Sequence, residues 1–221
     1  MNKPLAVAAV ALSLTGGLVL TACGGSGDSA SDKITGAPTA TSATASPSSS
    51  PTAGALPTGA PEIRLPADVR VEIEEPGAGA DEATGEAIRD LEYAIRALQD
   101  GFAQGSGTVP SMLHAYGMQS GLYWSKQIQQ YKDAGKAITG TDRYYNIDMR
   151  IIDGKSALAH YCEDQRKSYS KDLKTGKINV TTPSDKDFYR FTVSLGFDPK
   201  TRVWKIDRQN WTQGDKSCIT G

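Results

Sequence analysis

The sequence predicts an α+β domain in which N-terminal helices pack on an antiparallel sheet of about four strands. Three observations predict it. From residue 86 to residue 133 apolar side chains recur at helical spacing. From residue 145 to residue 211 the period drops to two. Asp153-Gly154 separates two of the alternating runs, and Asp-Gly is among the strongest short hairpin signals.

Taken in order, IRLPADVRVEIEE carries alternating Val69, Val71 and Ile73, a short edge strand or an extended lead-in. PGAGADEATG follows as a loop. Glu86 to Phe102 is the clearest helix, with Ile88, Leu91, Ile95, Leu98 and Phe102 along one face. Asp81 or Thr84 can cap its start, and glycines at 101, 105 and 107 end it. A second helical region runs from about Pro110 to Asp133, with Leu113, Gly117, Gly121, Trp124, Ile128 and Tyr131 as its stripe. Gly135 is its stop.

Tyr145, Ile147, Met149 and Ile151 then alternate with Asn146, Asp148 and Arg150. A two-residue loop at Asp153-Gly154 pairs Met149 with Leu158, Ile147 with His160, and Tyr145 with Cys162, all on one face. Glu163 to Lys186 is polar and reads as a protruding hairpin turning at Lys174–Lys177. Its segment QRKSYSKDLKTGK is either a solvated surface or a contact for anionic polymer or lipid headgroups. Phe188 to Phe197 and Arg202 to Trp211 are the last two strands, joined by Asp198-Pro199-Lys200-Thr201.

The N terminus sets the address. A basic start, Met1-Asn2-Lys3, precedes 17 mostly apolar residues from Pro4 to Leu20, and then Thr21-Ala22-Cys23. That is the layout of a secretory signal, shorter than the roughly 20 residues a membrane-spanning helix needs. Leu20-Thr21-Ala22-Cys23 resembles the lipobox of bacterial lipoproteins. The resemblance implies cleavage before Cys23, a diacylglyceryl thioether on its sulfur, and anchoring at the outer face of the cytoplasmic membrane. Two or more acyl chains hold stably where one is marginal. Residues 1–22 are then a signal peptide. Residues 23–60 are the lipidated cysteine and a linker: 32 of the 37 residues from 24 to 60 are Gly, Ala, Ser, Thr or Pro, too polar and small to build a core. As a coil it spans on the order of 35 Å. Residues 61–221 form the single folded domain.

Export also explains the other cysteines. Cys162 and Cys218 are an even pair in an oxidising compartment, which favours a disulfide. With 24 basic and 25 acidic residues, no basic run and an exported address, nucleic acid is excluded as a partner.

Helices followed by an antiparallel sheet resemble the nuclear-transport-factor-2-like cone and a group of small actinobacterial lipoproteins. The likeness is carried by Tyr116 through Gly140, the strand ALAHYCED, the turn with Gly176, the last strand RVWKIDRQNW and the terminal Cys218. It spans about residues 83 to 218. It implies a curved sheet wrapping a pocket against the helices, and cone-fold enzymes place Asp, His or Tyr there for proton transfer. That superfamily commonly inserts a further short helix among the strands, and none is visible here.

The register puts His160, Tyr145 and Met149 at such a pocket. A lone histidine among Ile147, Leu158 and helix stripes is more often a satisfied core residue. His160 and Cys162 resemble a base and its nucleophile only if Cys162 is free, and a bridge to Cys218 removes that site. There is no GxSxG, HExxH, phosphate-cradling glycine loop, CxxC or calcium loop, so no cofactor or metal is expected. The reading is a membrane-anchored, non-catalytic binding or accessory domain for a protein or small-molecule ligand. The alternatives are a small enzyme or ligand binder using the cavity around His160, or a structural protein of the cell envelope.

Overall fold

The computed structural model describes residues 56–75 and 80–220. The expected signal peptide, Cys23 and all but the last five residues of the expected linker lie outside the described residues. Among the described residues, no helix is long and apolar enough to cross a membrane.

The described residues are α+β: three of the four helices pack on one face of a curved, mostly antiparallel sheet of six strands in the order β1-β2-β3-β5-β6, with β4 on β3. The strands are β1 (Val69–Ile73), β2 (Lys136–Asp153), β3 (Ser156–Asp172), β4 (Ile178–Asn179), β5 (Phe188–Asp198) and β6 (Val203–Gln213). The helices are α1 (Glu82–Gln104), α2 (Pro110–Ala115), α3 (Met118–Asp133) and α4 (Lys216–Ile219). The expected count of about four strands is corrected to six. The lead-in strand β1 joins β2 in parallel, Val69 opposite Gly140, and the charged hairpin contributes the two-residue β4.

α1 forms where its apolar stripe requires. Asp81 caps it by accepting from the Thr84 amide at 2.8 Å, and Gly105 ends it in the left-handed conformation at φ 62°. Ile88, Leu91 and Ile95 are buried against the sheet, each contributing about 1.5–3 kcal/mol. Asp90, buried on the same helix, accepts the Trp204 amide of β6 at 2.7 Å.

The single helix expected from Pro110 to Asp133 is two. Tyr116 is extended, φ −111°, and bridges Ile206 on β6. The Gly117 amide donates to the Ile206 carbonyl, and so does the Ser120 hydroxyl. The edge of β6 thus captures the chain and breaks the helix. Gly117 permits this approach, since a Cβ there would lie 2.5 Å from Asp207 Oδ1. Leu113, expected on the buried stripe, is 61 % exposed, while Met112 is buried.

The β2–β3 hairpin also differs in register. Its two loop residues are Gly154 and Lys155, with Asp153 opposite Ser156. Asp148 therefore faces His160, and Met149 faces Ala159. A bulge between Tyr145 and Asp148, with Asn146 left-handed at φ 51°, restores the expected pairing of Tyr145 with Cys162. The extra residue moves Tyr145 and Met149 to opposite faces. Met149 packs in the main core, and Tyr145 joins a second cluster with Cys162, Phe188 and Cys218. Cys162 and Cys218 form a disulfide that pins α4 to the outer face of the sheet. The Tyr145 hydroxyl donates to the Cys218 carbonyl beneath it.

Candidate functional site

Between α1, α3 and the inner face of the sheet lies a cavity of about 210 Å³. Strand alternation builds its floor. Tyr161, Glu163 and Gln165 project inward from β3, and their cross-strand neighbours complete two rungs. In one rung Glu163 stands between Tyr144 on β2 and Tyr189 on β5. In the other, Tyr161, Phe191 and Trp211 run across β3, β5 and β6. Ile95, Leu98, Gln99 and Phe102 of α1, with Trp124 of α3 and Tyr116, close the opposite side.

The walls are aromatic nearly throughout. Tyr161 and Phe191 stack at 4.9 Å, Trp124 and Trp211 stack at 5.9 Å, and Phe191 meets Trp211 at 6.0 Å. Phe102 packs edge-on to Trp124 at 6.0 Å. Trp211 is 40 % exposed, so the cavity meets solvent at that edge.

One hydrogen-bond chain crosses the floor. Gln99 Nε2 donates to Tyr144 Oη at 2.8 Å, and Tyr144 Oη donates to Glu163 Oε1 at 2.6 Å. All three groups are buried. Burial raises the Glu163 carboxyl above the ordinary carboxylate range, against the hydrogen bonds from Tyr144 and Gln165 that lower it. Burial and the Glu163 charge push the Tyr144 phenol far up, so it remains a donor. Asp142, two residues before Tyr144 on β2, is 4 % exposed, and its Oδ1 has no hydrogen-bond partner. Burial first, and then the Glu163 charge, raise its carboxyl strongly. The two acids together resist carrying two negative charges. The Trp124 indole N–H is also buried without a partner.

The three residues expected at a pocket do not meet. His160 faces away from the helices because the inner positions of β3 are the odd-numbered ones. It contacts Thr192 Oγ1 through Nδ1 at 3.0 Å in a shallow outer recess with Asn146, Asp148, Cys162, Arg190 and Ser217. Tyr145 lies under α4, and Met149 lies in the main core. The expectation of a cavity around His160 is corrected accordingly. His114 packs edge-on against Tyr93 at 5.4 Å, and burial lowers its pKa. Among the described residues, no group of three or more His, Cys, Asp or Glu side chains is placed to hold a metal ion.

Sequence reasoning missed Glu163, Tyr144 and the aromatic rungs. A signal existed: the alternation Ala157, Ala159, Tyr161 continues to Glu163 and Gln165, placing an acid on the core face of a strand.

No protein-family model matches the chain, and no curated protein matches it. Solved structures similar to the chain at low identity include these three. The intermembrane-space region of the chloroplast protein ARC6 aligns with 61 % of this chain and 98 % of its own, at 13 % identity and TM-score 0.40. A ketosteroid isomerase-like protein from Erwinia carotovora atroseptica aligns with 61 % and 98 %, at 10 % identity and TM-score 0.43. A domain of unknown function with a cystatin-like fold, from Nostoc punctiforme, aligns with 61 % and 79 %, at 15 % identity and TM-score 0.37.

Proposed function

We propose that this is a lipid-anchored, extracytoplasmic binding protein whose nuclear-transport-factor-2-like cone holds a small molecule in the aromatic cavity. The aromatic cavity carries the reading. A core built only for stability closes such a space, because each void forfeits packing contacts. Here two stacked tryptophans, four tyrosines and a buried carboxyl surround one instead. Mostly apolar walls with a few convergent polar groups are the common make-up of ligand pockets. At about 210 Å³ it falls below the roughly 300 Å³ at which drug-sized pockets begin, so the ligand is small.

The lipobox-like Leu20-Thr21-Ala22-Cys23 supports the anchor, and the low-complexity segment behind it supports a tether. The disulfide fits an oxidising compartment. Membrane attachment runs through the lipid on Cys23, with no nucleic acid involved.

A second reading has one observation in its favour. Glu163, hydrogen-bonded to Tyr144 in the cavity, can exchange a proton with a ligand, since burial raises its carboxyl and a raised carboxyl suits general acid–base work. It would make the cavity an active site, without His160.

The test is tryptophan emission. Trp124 and Trp211 line the cavity, so a small ligand entering it changes their fluorescence. Titration with small cationic, neutral and anionic probes is expected to give a saturable change with at least one of them. Leu98→Trp, which fills the cavity, is expected to abolish the change while keeping the fold. A flat response to every probe would refute the binding reading. Separately, Cys23→Ser is expected to release the protein into the medium.

A further inference from the structure

We propose that the cavity selects a small organic ammonium ion, its cationic head held over the aromatic faces and beside the Glu163 carboxylate. This deepens the binding reading above and rests on it. Eight of the thirteen lining residues are aromatic, and none is Lys, Arg or His. Apart from the tyrosines, Glu163 is the one ionisable group in the lining. A ligand therefore meets a wall of aromatic rings, whose π electrons attract cations, and a carboxyl, which attracts them further. An anion would shed its hydration and find no positive partner.

The second acid strengthens the sign. Asp142 shares the inner face of β2 with Tyr144, is buried, and leaves one carboxyl oxygen without a partner. A substituted ammonium suits this place better than a bare metal ion. Among the described residues no group of three or more His, Cys, Asp or Glu side chains is placed to hold a metal, and an alkyl-clad cation loses less hydration on entering.

Burial raises both carboxyls, so a cation entering beside the pair favours their ionised forms and any proton it displaces leaves to solvent. The titratable groups around Glu163 are Asp142 and Tyr144 from β2, Tyr161 from β3, Tyr189 from β5, and Tyr116 between α2 and α3. Asp164 adds to the negative charge at Asp142. With no base among these groups, cation affinity rises with pH.

The experiment compares three probes of nearly one shape: choline, its neutral carbon analogue 3,3-dimethylbutan-1-ol, and the anion 3,3-dimethylbutanoate. Binding to the wild-type protein is read by calorimetry and tryptophan emission. Choline is expected to bind at least about tenfold tighter than the alcohol and to tighten further with rising pH. The anion is expected not to bind. Glu163→Gln is expected to erase the choline preference and to leave the alcohol's affinity within about twofold. If that variant does not fold, the wild-type ranking still decides. Equal or tighter binding of the alcohol or the anion overturns the ammonium inference and leaves the small-ligand reading standing. No binding of any probe up to about 50 mM overturns both.

Discussion

Removing the disulfide is expected to cost the domain about 4 kcal/mol. The bridge joins residues 56 positions apart, Cys162 on β3 and Cys218 on α4. In the chain-entropy relation a loop of that length removes about 14 cal/mol/K from the unfolded ensemble, about 4 kcal/mol at 25 °C. Native contacts add to this. Cys218 is fully buried, and α4 covers Tyr145 and Phe188 on the outer face of the sheet. Three further contacts hold the four-residue helix: the Tyr145 hydroxyl donates to the Cys218 carbonyl, Arg190 Nη1 donates to Ser217 Oγ at 2.9 Å, and Asp215 caps its start. A domain of this size has an unfolding entropy of about 0.35 kcal/mol/K near its midpoint, so the cost lowers Tm by about 12 °C. The assay is a thermal melt, followed by near-ultraviolet circular dichroism, of the wild-type protein and of the Cys162→Ala, Cys218→Ala double variant. The wild type with reductant should track the double variant. A decrease below about 4 °C, or coincident melts with and without reductant, would refute the reasoning.

Three further outcomes follow from single contacts. Burial pushes the Asp90 carboxyl up to about 6 although the Trp204 amide bonds to it. The folded state therefore binds that proton more tightly than the unfolded chain, and stability falls as pH rises from about 4 to about 6. Asp90→Asn should remove that part of the fall, leaving the variant at pH 7 about 1–3 kcal/mol better placed relative to wild type than at pH 4, as read by urea denaturation. Gly140→Ala should destabilise by about 3 kcal/mol or more in the same assay. Its φ is 99°, and the added Cβ would collide with the Lys167 carbonyl oxygen. Ser111→Ala should cost about 1–3 kcal/mol, because the buried Asp100 Oδ2 loses the hydroxyl donor 2.5 Å away.

How legible each feature was in the sequence depended on the range of the interaction behind it. α1 was readable because stripe, cap and stop are all local, and Asp81 and Gly105 do what their positions suggest. The inner face of β5 was readable for the same reason: Tyr189, Phe191, Val193, Leu195 and Phe197 all pack against the main core. The break at Tyr116 was not, because the Ile206 carbonyl that captures Gly117 lies far along the chain. The bulge at Asn146 gave only a weak hint, the tolerance of asparagine for positive φ. That one inserted residue separated Tyr145 from Met149 and undid the expected pocket. Parallel pairing of β1 was invisible, since Val69, Val71 and Ile73 alternate alike whichever way the partner runs. The aromatic rungs depend on register across three strands, which no single segment encodes. The acid among them was open to view at Glu163, inside a stretch whose charge suggested a solvated hairpin.

The two borders of the sheet carry a consequence for association between copies of the chain. β1 covers β2 only from Gly140 to Tyr144. Beyond that stretch the backbone swings through the left-handed Asn146 and presents Asp148, Arg150 and Asp153. On the far border, Tyr116, Gly117 and Ser120 occupy the Ile206 position. An unfolded neighbour seeking a straight template finds a kinked, charged rim on one side and, on the other, a strand whose Ile206 position is already taken. At those positions edge-to-edge association, the first step toward fibrils, is hindered.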